Sequence, residues 1–297
     1  MKQELMTTKV EPGTSLAPDP RPPANRLLSE KTITVIGAGK LGETLIRALL
    51  EAKIADPRRM IATTGHAESA QRKAQLYGIR GTTNNAEAAE GADIVILSVK
   101  PQVIGEVLNS IKPVVGKDQL VISTAASVST GYIERGLAAG VPVIRTMPNT
   151  PCRVREGMTA ISPGRNADER DLEMTSDLFS AFGRILVLDE KHMDAVTGLS
   201  ASGPAFMYVI LESLAEGGVA VGLPRDVATE LAAQTMLGAA RMVLETREHP
   251  AKLKDVVTTP AGCTIDGLLE LESGGLRVTL IKTVVRATKR AAELMGG

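Results

Sequence analysis

Apolar residues in this chain follow two rhythms, and the change from one to the other divides it. From Thr32 onward, short β-branched runs alternate with amphipathic stretches. Thr32-Ile33-Thr34-Val35-Ile36 suits a buried strand, and Leu45, Ile46, Leu49 and Leu50 then recur at helical spacing. Arg59–Thr63 predicts a second strand, followed by a helix around Ser69–Tyr77. Asp93–Val99 is the clearest buried strand, and Leu120–Ser123 and Val143–Arg145 add two more. Met158–Ile161 and Arg184–Leu188 complete the set. Strands alternating with helices predict an α/β, Rossmann-type, doubly wound parallel sheet.

Beyond Lys191 the strand signal stops. Pro204–Val221 and Pro224–Glu245 read as long helices, each with proline near the first turn, where its missing N–H costs little. A last helix is predicted from about Leu276 to Leu294. Ala215, Gly217, Gly218 and Ala220, then Ala232, Ala233, Gly238, Ala239 and Ala240, would let these helices approach closely. Their apolar surface exceeds what one short helical layer can cover, so a homodimer or a larger assembly of dimers is expected. The expected division is a dinucleotide-binding domain over 31–190 and an all-α substrate and dimerisation domain over 191–297. Residues 1–30 are broken by Pro12, Pro18, Pro20, Pro22 and Pro23. They read as a disordered tail without a signal peptide.

Composition narrows the partners. The 34 basic and 34 acidic residues give a net charge of zero, so no basic face for nucleic acid is implied. No apolar run reaches the roughly 18 residues of a membrane span. Cys152 and Cys263 are the two cysteines, too few for a disulfide framework or a thiol-built zinc site. His66, His192 and His249 lie far apart, so no metal is expected. A cytoplasmic, reducing setting follows as the default. Aromatic residues make up 2% of the chain and Trp is absent, so the core must be aliphatic.

Candidate chemistry sits at the ends of the predicted strands. Gly37-Ala38-Gly39-Lys40-Leu41-Gly42 fits the dinucleotide fingerprint, with a strand before it and a helix after. At the end of the second strand, where an NAD site wants a carboxylate, the chain has Ala62-Thr63-Thr64-Gly65. Neutral hydroxyls there, with Arg58, Arg59, Arg72 and Lys73 nearby, favour NADPH over NADH, because a carboxylate would repel the 2′-phosphate. Ser98-Val99-Lys100-Pro101, Thr124-Ala125-Ala126 and Arg145–Pro151, containing Met147 and Asn149, end further strands where ligands of open α/β sheets sit. Asn85 joins the cofactor candidates.

Near the C-terminus, Thr258-Thr259-Pro260-Ala261-Gly262-Cys263-Thr264 precedes an apolar helical stretch. The Gly262 and Cys263 amides, with the Thr259 and Thr264 hydroxyls beside them, suit a small carboxylate. Taken alone, the same run also reads as a helix-capping turn.

In order and spacing, these motifs resemble the pyrroline-5-carboxylate reductase family from Lys31 to the C-terminus. Further matches are Arg155-Glu156-Gly157, Gly198–Pro204, Leu253, Val257, Gly267-Leu268 and Glu272-Ser273-Gly274-Gly275. The resemblance implies hydride transfer from NADPH to a cyclic imine, giving L-proline. It implies Thr264 near the ring nitrogen, and Thr259 with the Gly262 and Cys263 amides at the carboxylate. Helices interlocked across a two-fold axis would let both subunits shape each site. The chain departs from the family pattern at Ala261, where a second glycine is usual, at Val256, usually a side-chain hydrogen bonder near the cofactor, and in its proline-rich tail. The competing readings are another NADP-dependent imine or β-hydroxyacid reductase, with Lys191 or Asp194 as proton donor, and a non-catalytic NADP-binding regulator.

Overall fold

The computed structural model describes residues 26–294. The tail expectation for residues 1–25 lies outside the described residues. Structure starts before Lys31, with a short turn of helix, α1 (Arg26–Ser29), whose Leu28 is buried in the core. By internal contacts the chain forms two units. One holds the described residues up to Phe206 and those from Val278 onward; the other is Met207–Arg277.

The first unit is built on eight strands: β1 (Ile33–Ile36), β2 (Met60–Thr63), β3 (Arg80–Thr82), β4 (Ile94–Leu97), β5 (Leu120–Ser123), β6 (Val143–Met147), β7 (Gly157–Pro163) and β8 (Gly183–Val187). They lie in the order β3-β2-β1-β4-β5-β6-β7-β8. Helices α2 (Lys40–Glu51), α3 (Ala67–Tyr77), α4 (Asn85–Ala89), α5 (Ile104–Ile111), α6 (Thr130–Gly136) and α7 (Glu169–Ser180) connect them. The short α8 (Met193–Val196) follows β8.

Every residue of β1, β2, β4 and β5 is buried. Their alternation feeds two cores: Ile94 and Ile96 of β4 pack with Ile33, Val35 and Leu45, while Val95 and Leu97 pack with Ile36, Ile104 and Leu108. This period of two lets a sheet carry helices on both faces.

The sheet departs from the parallel expectation at one pair, since β7 runs antiparallel to β6. The connection from Met147 to Gly157 is shorter than the roughly a dozen residues a parallel crossover needs. β8 then returns parallel to β7 through α7, which opens on an Asp168–Asp171 capping box. The edge strand β3 was not predicted, because Arg80-Gly81-Thr82 contains no apolar run. Helices α4 to α7 were also unread.

Long helices follow: α9 (Gly203–Ala220), α10 (Arg225–Thr246), α11 (Pro250–Val257), α12 (Cys263–Ser273) and α13 (Leu276–Glu293). Within the second unit, a Cβ on Gly218 would come within 2.9 Å of the Ala228 Cβ, whereas one on Gly217 or Gly238 would meet nothing within 4 Å, so a single glycine and not the whole set of small residues marks a close approach of α9 and α10. Back in the first unit, Thr197–Ala201 forms a π-turn after α8, with the Ser202 amide donating to the Thr197 carbonyl at 3.0 Å. There Gly198 packs so closely on Thr288 of α13 that no side chain fits.

Candidate active site

Strand order reverses between β1 and β4, and ligands of such sheets bind in the crevice beyond the carboxyl ends at that switch. The three fingerprint glycines there have different physical reasons. Gly37 takes φ +88°, and a Cβ on it would sit 2.5 Å from Val99 and 2.7 Å from the Ser98 carbonyl. A Cβ on Gly42 would meet the Gly37 carbonyl at 2.5 Å. Gly39 is exposed and a Cβ there meets nothing within 4 Å, which leaves its outer side open to a ligand. No side chain caps α2, so the first-turn amides of Lys40, Leu41 and Gly42 face an anion position at a helix N-terminus. Beside them, the buried Ser98 Oγ has no hydrogen-bond partner among the described residues. An open glycine, uncapped amides and an orphaned hydroxyl fit a dinucleotide pyrophosphate.

The end of β2 is organised differently from the sequence expectation. Thr63 is buried; its Oγ accepts from the Gly37 amide at 3.2 Å and donates to Asn85 Oδ1 at 2.8 Å. Its hydroxyl therefore ties the glycine turn to α4. The Thr64 hydroxyl donates to the His66 carbonyl at 2.8 Å. Among the cations, Lys73 is buried and bonded to Glu43 at 2.6 Å. Arg58 and Arg59 precede β2 and so stand at its amino end, away from the crevice. Arg72 is exposed on α3.

Glu43, missed by sequence reasoning, follows the third glycine and ties α2 to α3, accepting from both Lys73 and Tyr77. The Lys73 hydrogen bond outweighs burial and holds the Glu43 carboxyl below the usual range. Burial first, then the Glu43 bond, raises the Tyr77 phenol. A carboxylate directly after the fingerprint, with a lysine on the next predicted helix, is the signal that could have found this pair.

Further along the edge, Ser98, Val99 and Pro101 are half-buried and Lys100 is exposed. Ala125 and Ala126 follow β5, Ala125 fully buried, and Met147 closes β6 at 4% exposure. Asn149 acts as a joint: its Oδ1 accepts from the Met158 amide at 2.9 Å and its Nδ2 donates to the Ser200 carbonyl at 3.3 Å. Arg145, buried on β6, pairs with Glu190 at 3.3 Å and Asp194 at 3.5 Å. Glu190 in turn accepts from the Thr130 amide and hydroxyl, both at 2.7 Å. Lys191 pairs with Asp189 at 3.1 Å. Both proton donors nominated by the competing reductase reading are thus held in ion pairs.

In the second unit, α12 begins at Cys263 with Gly262 as its N-cap, and no side chain caps it. Thr264 stands one residue inside the helix, so it is not the cap. The Gly262 amide is used within the loop, donating to the Thr259 carbonyl at 3.0 Å. This narrows the amides that can meet a carboxylate to Cys263 and Thr264. Gly262 lies so close to the Thr259 hydroxyl that a Cβ there would collide with it. Ala261, where the family pattern has glycine, takes φ +57°, a conformation that costs an alanine about 1–2 kcal/mol. Val256 is exposed at 78%. No group of three His, Cys, Asp or Glu side chains gathers as a metal site among the described residues.

Comparison with known proteins finds two matching family segments. Residues 190–294 match the family "Pyrroline-5-carboxylate reductase dimerisation", and residues 32–127 match "NADP oxidoreductase coenzyme F420-dependent". A pyrroline-5-carboxylate reductase of Methanosarcina acetivorans is 43% identical over 90% of this chain and 99% of its own. That of Glycine max is 43% identical over 89% and 96%. Among solved structures, the reductase of Coxiella burnetii superposes with a TM-score of 0.82 at 35% identity, covering 89% of this chain and 98% of that one. A Plasmodium falciparum pyrroline carboxylate reductase with NADP bound gives 0.81 at 29%, covering 90% and 98%. Similarity at this level, spanning the glycine turn and the Thr258–Thr264 loop alike, means that the chain belongs to the pyrroline-5-carboxylate reductase family.

Proposed function

We propose that the chain reduces the cyclic imine 1-pyrroline-5-carboxylate to L-proline with NADPH, the last step of proline synthesis. The observation that carries this reading is the 43% identity with named reductases over nine-tenths of the chain. NADPH supplies the hydride when bound; the chain's residues supply grip and alignment. The Gly37–Gly42 turn and the first-turn amides of α2 hold the pyrophosphate. The absence of a carboxylate at Thr63-Thr64-Gly65 favours the 2′-phosphate over a bare ribose, so NADPH is preferred to NADH, with the exposed Arg72 of α3 as the candidate cation.

The Cys263 and Thr264 amides take the substrate carboxylate, and the Thr264 hydroxyl bonds at the ring nitrogen. A protonated imine is already electrophilic, so positioning is the main work, and no placed acid is needed in the loop. The chain acts as a homodimer or a larger assembly of dimers through residues 190–294, the segment matched by the dimerisation family. That match also supports the functional division near Glu190. We place the enzyme in the cytoplasm, where the unpaired thiols of Cys152 and Cys263 stay reduced. The test is to mix the purified protein with NADPH and pyrroline-5-carboxylate and follow cofactor oxidation. Substrate-dependent loss of NADPH, faster than with NADH, supports the reading; no substrate-dependent loss overturns it.

A further inference from the structure

Ser127, in the turn after β5, combines two costs on one residue. Its backbone takes φ +63°, a conformation that costs a non-glycine residue roughly 1–3 kcal/mol. Its Oγ is buried with no hydrogen-bond partner among the described residues, a further cost of about 1–3 kcal/mol. Among the described residues, the other buried side-chain atoms without a partner are Ser98 Oγ and Arg145 Nε. All three stand on the adjacent strands β4, β5 and β6 or just after them, and the two serines lie beyond the carboxyl ends.

Direction along that edge follows from the strand order. The 2′-phosphate belongs at β2 and the pyrophosphate at the glycine turn after β1. The other half of the dinucleotide must then extend the opposite way, over β4 and β5. Ser98 is the first orphaned hydroxyl on that path and Ser127 the second. Ala125 and Ala126, just before Ser127, leave room there because they are small.

We infer that Ser127 is a positioning residue for the cofactor, its hydroxyl hydrogen-bonding a polar group of the nicotinamide half, either a ribose hydroxyl or the carboxamide. The bond made on binding would compensate the orphaned oxygen. This assignment rests on the NADPH reading above.

The experiment measures dissociation constants of NADP⁺ and of adenosine 2′,5′-bisphosphate, which lacks the nicotinamide half, by calorimetry. The proteins are the full chain, Ser127→Ala and Ser127→Gly, with ligand-free melting temperatures alongside. Loss of one hydrogen bond should weaken NADP⁺ binding about 3- to 10-fold in both variants and leave the bisphosphate unchanged. Ser127→Gly should also melt above the unsubstituted protein, because glycine adopts positive φ without strain. Unchanged NADP⁺ binding in Ser127→Ala overturns the inference. Equal weakening of both ligands also overturns it, since that marks a purely structural role. An unsubstituted protein that binds neither nucleotide refutes the NADPH reading itself, a separate outcome.

Discussion

The sheet unit and the helical unit bury themselves by opposite means. In the sheet, β1, β2, β4 and β5 are buried at every position, and aliphatic side chains pack from both faces. In residues 207–277, only Ala215 and Ala228 are buried among the described residues. Leu231, Leu237, Met242 and Leu269 stay 46–62% exposed. Monomeric proteins rarely leave so many large apolar side chains in water on neighbouring helices. The first unit therefore makes its own core, while the second has a surface that becomes a core on association.

The contrast can be broken most sharply at an exposed leucine. Leu231→Glu places a charge where the subunit interface is proposed, and loss of such an anchor costs on the order of 2–4 kcal/mol. Light scattering should then show monomer, with activity reduced by about 100-fold or more at dilute concentration, since 1.4 kcal/mol is tenfold. A stable dimer with normal turnover would remove Leu231 from the interface. The complementary change is Ile96→Ala in β4, which should destabilise by about 2–5 kcal/mol. Its loss should not depend on protein concentration, whereas that of Leu231→Glu should; chemical denaturation at two concentrations separates them.

Thr264→Ala probes chemistry rather than burial. Because Gly262, not Thr264, caps α12, the substitution should spare stability while lowering kcat/KM for pyrroline-5-carboxylate 10-fold or more, roughly 1.4 kcal/mol of transition-state stabilisation. NADPH affinity should hold. A variant that only melts lower and turns over normally would return Thr264 to a structural role.

The smallest effect is expected from acid. Glu43 has its folded carboxyl held below the ordinary range by Lys73, so its contribution is present above the unfolded value and fades as pH falls through the folded one. Glu43→Gln should therefore lower stability at neutral pH, and that difference should begin to shrink as pH falls below about 4, the ordinary glutamate range, and vanish only at lower pH. A difference that persists at low pH would mean that packing, and not charge, carries the pair.

How much of this was legible in the sequence follows the same division. Buried strands such as Ile94–Leu97 announce themselves because both faces are apolar, and seven of the eight strands in the sheet, the partly exposed β8 among them, were readable as short apolar runs. Arg80–Thr82 was not, since an edge strand with polar residues carries no periodic signal. The direction of β7 depends on the length of the preceding loop, and strand patterning does not encode it. The glycine turn was readable because each glycine has a steric reason. The destinations of hydroxyls were not: Thr63 looked like a phosphate ligand, yet its Oγ is bonded to Gly37 and Asn85. Ser127 left no mark in the sequence, because its interest lies in a backbone angle and a missing partner.

The central claim is hydride delivery to the imine carbon, and it is tested most directly by isotope. The protein is incubated with pyrroline-5-carboxylate and NADPH deuterated at the transferred position, and the product is examined by mass spectrometry and NMR. The account predicts L-proline carrying one deuterium on the ring carbon that belonged to the C=N bond. Unlabelled proline, or no proline from a folded and dimeric preparation that binds NADPH, would contradict it.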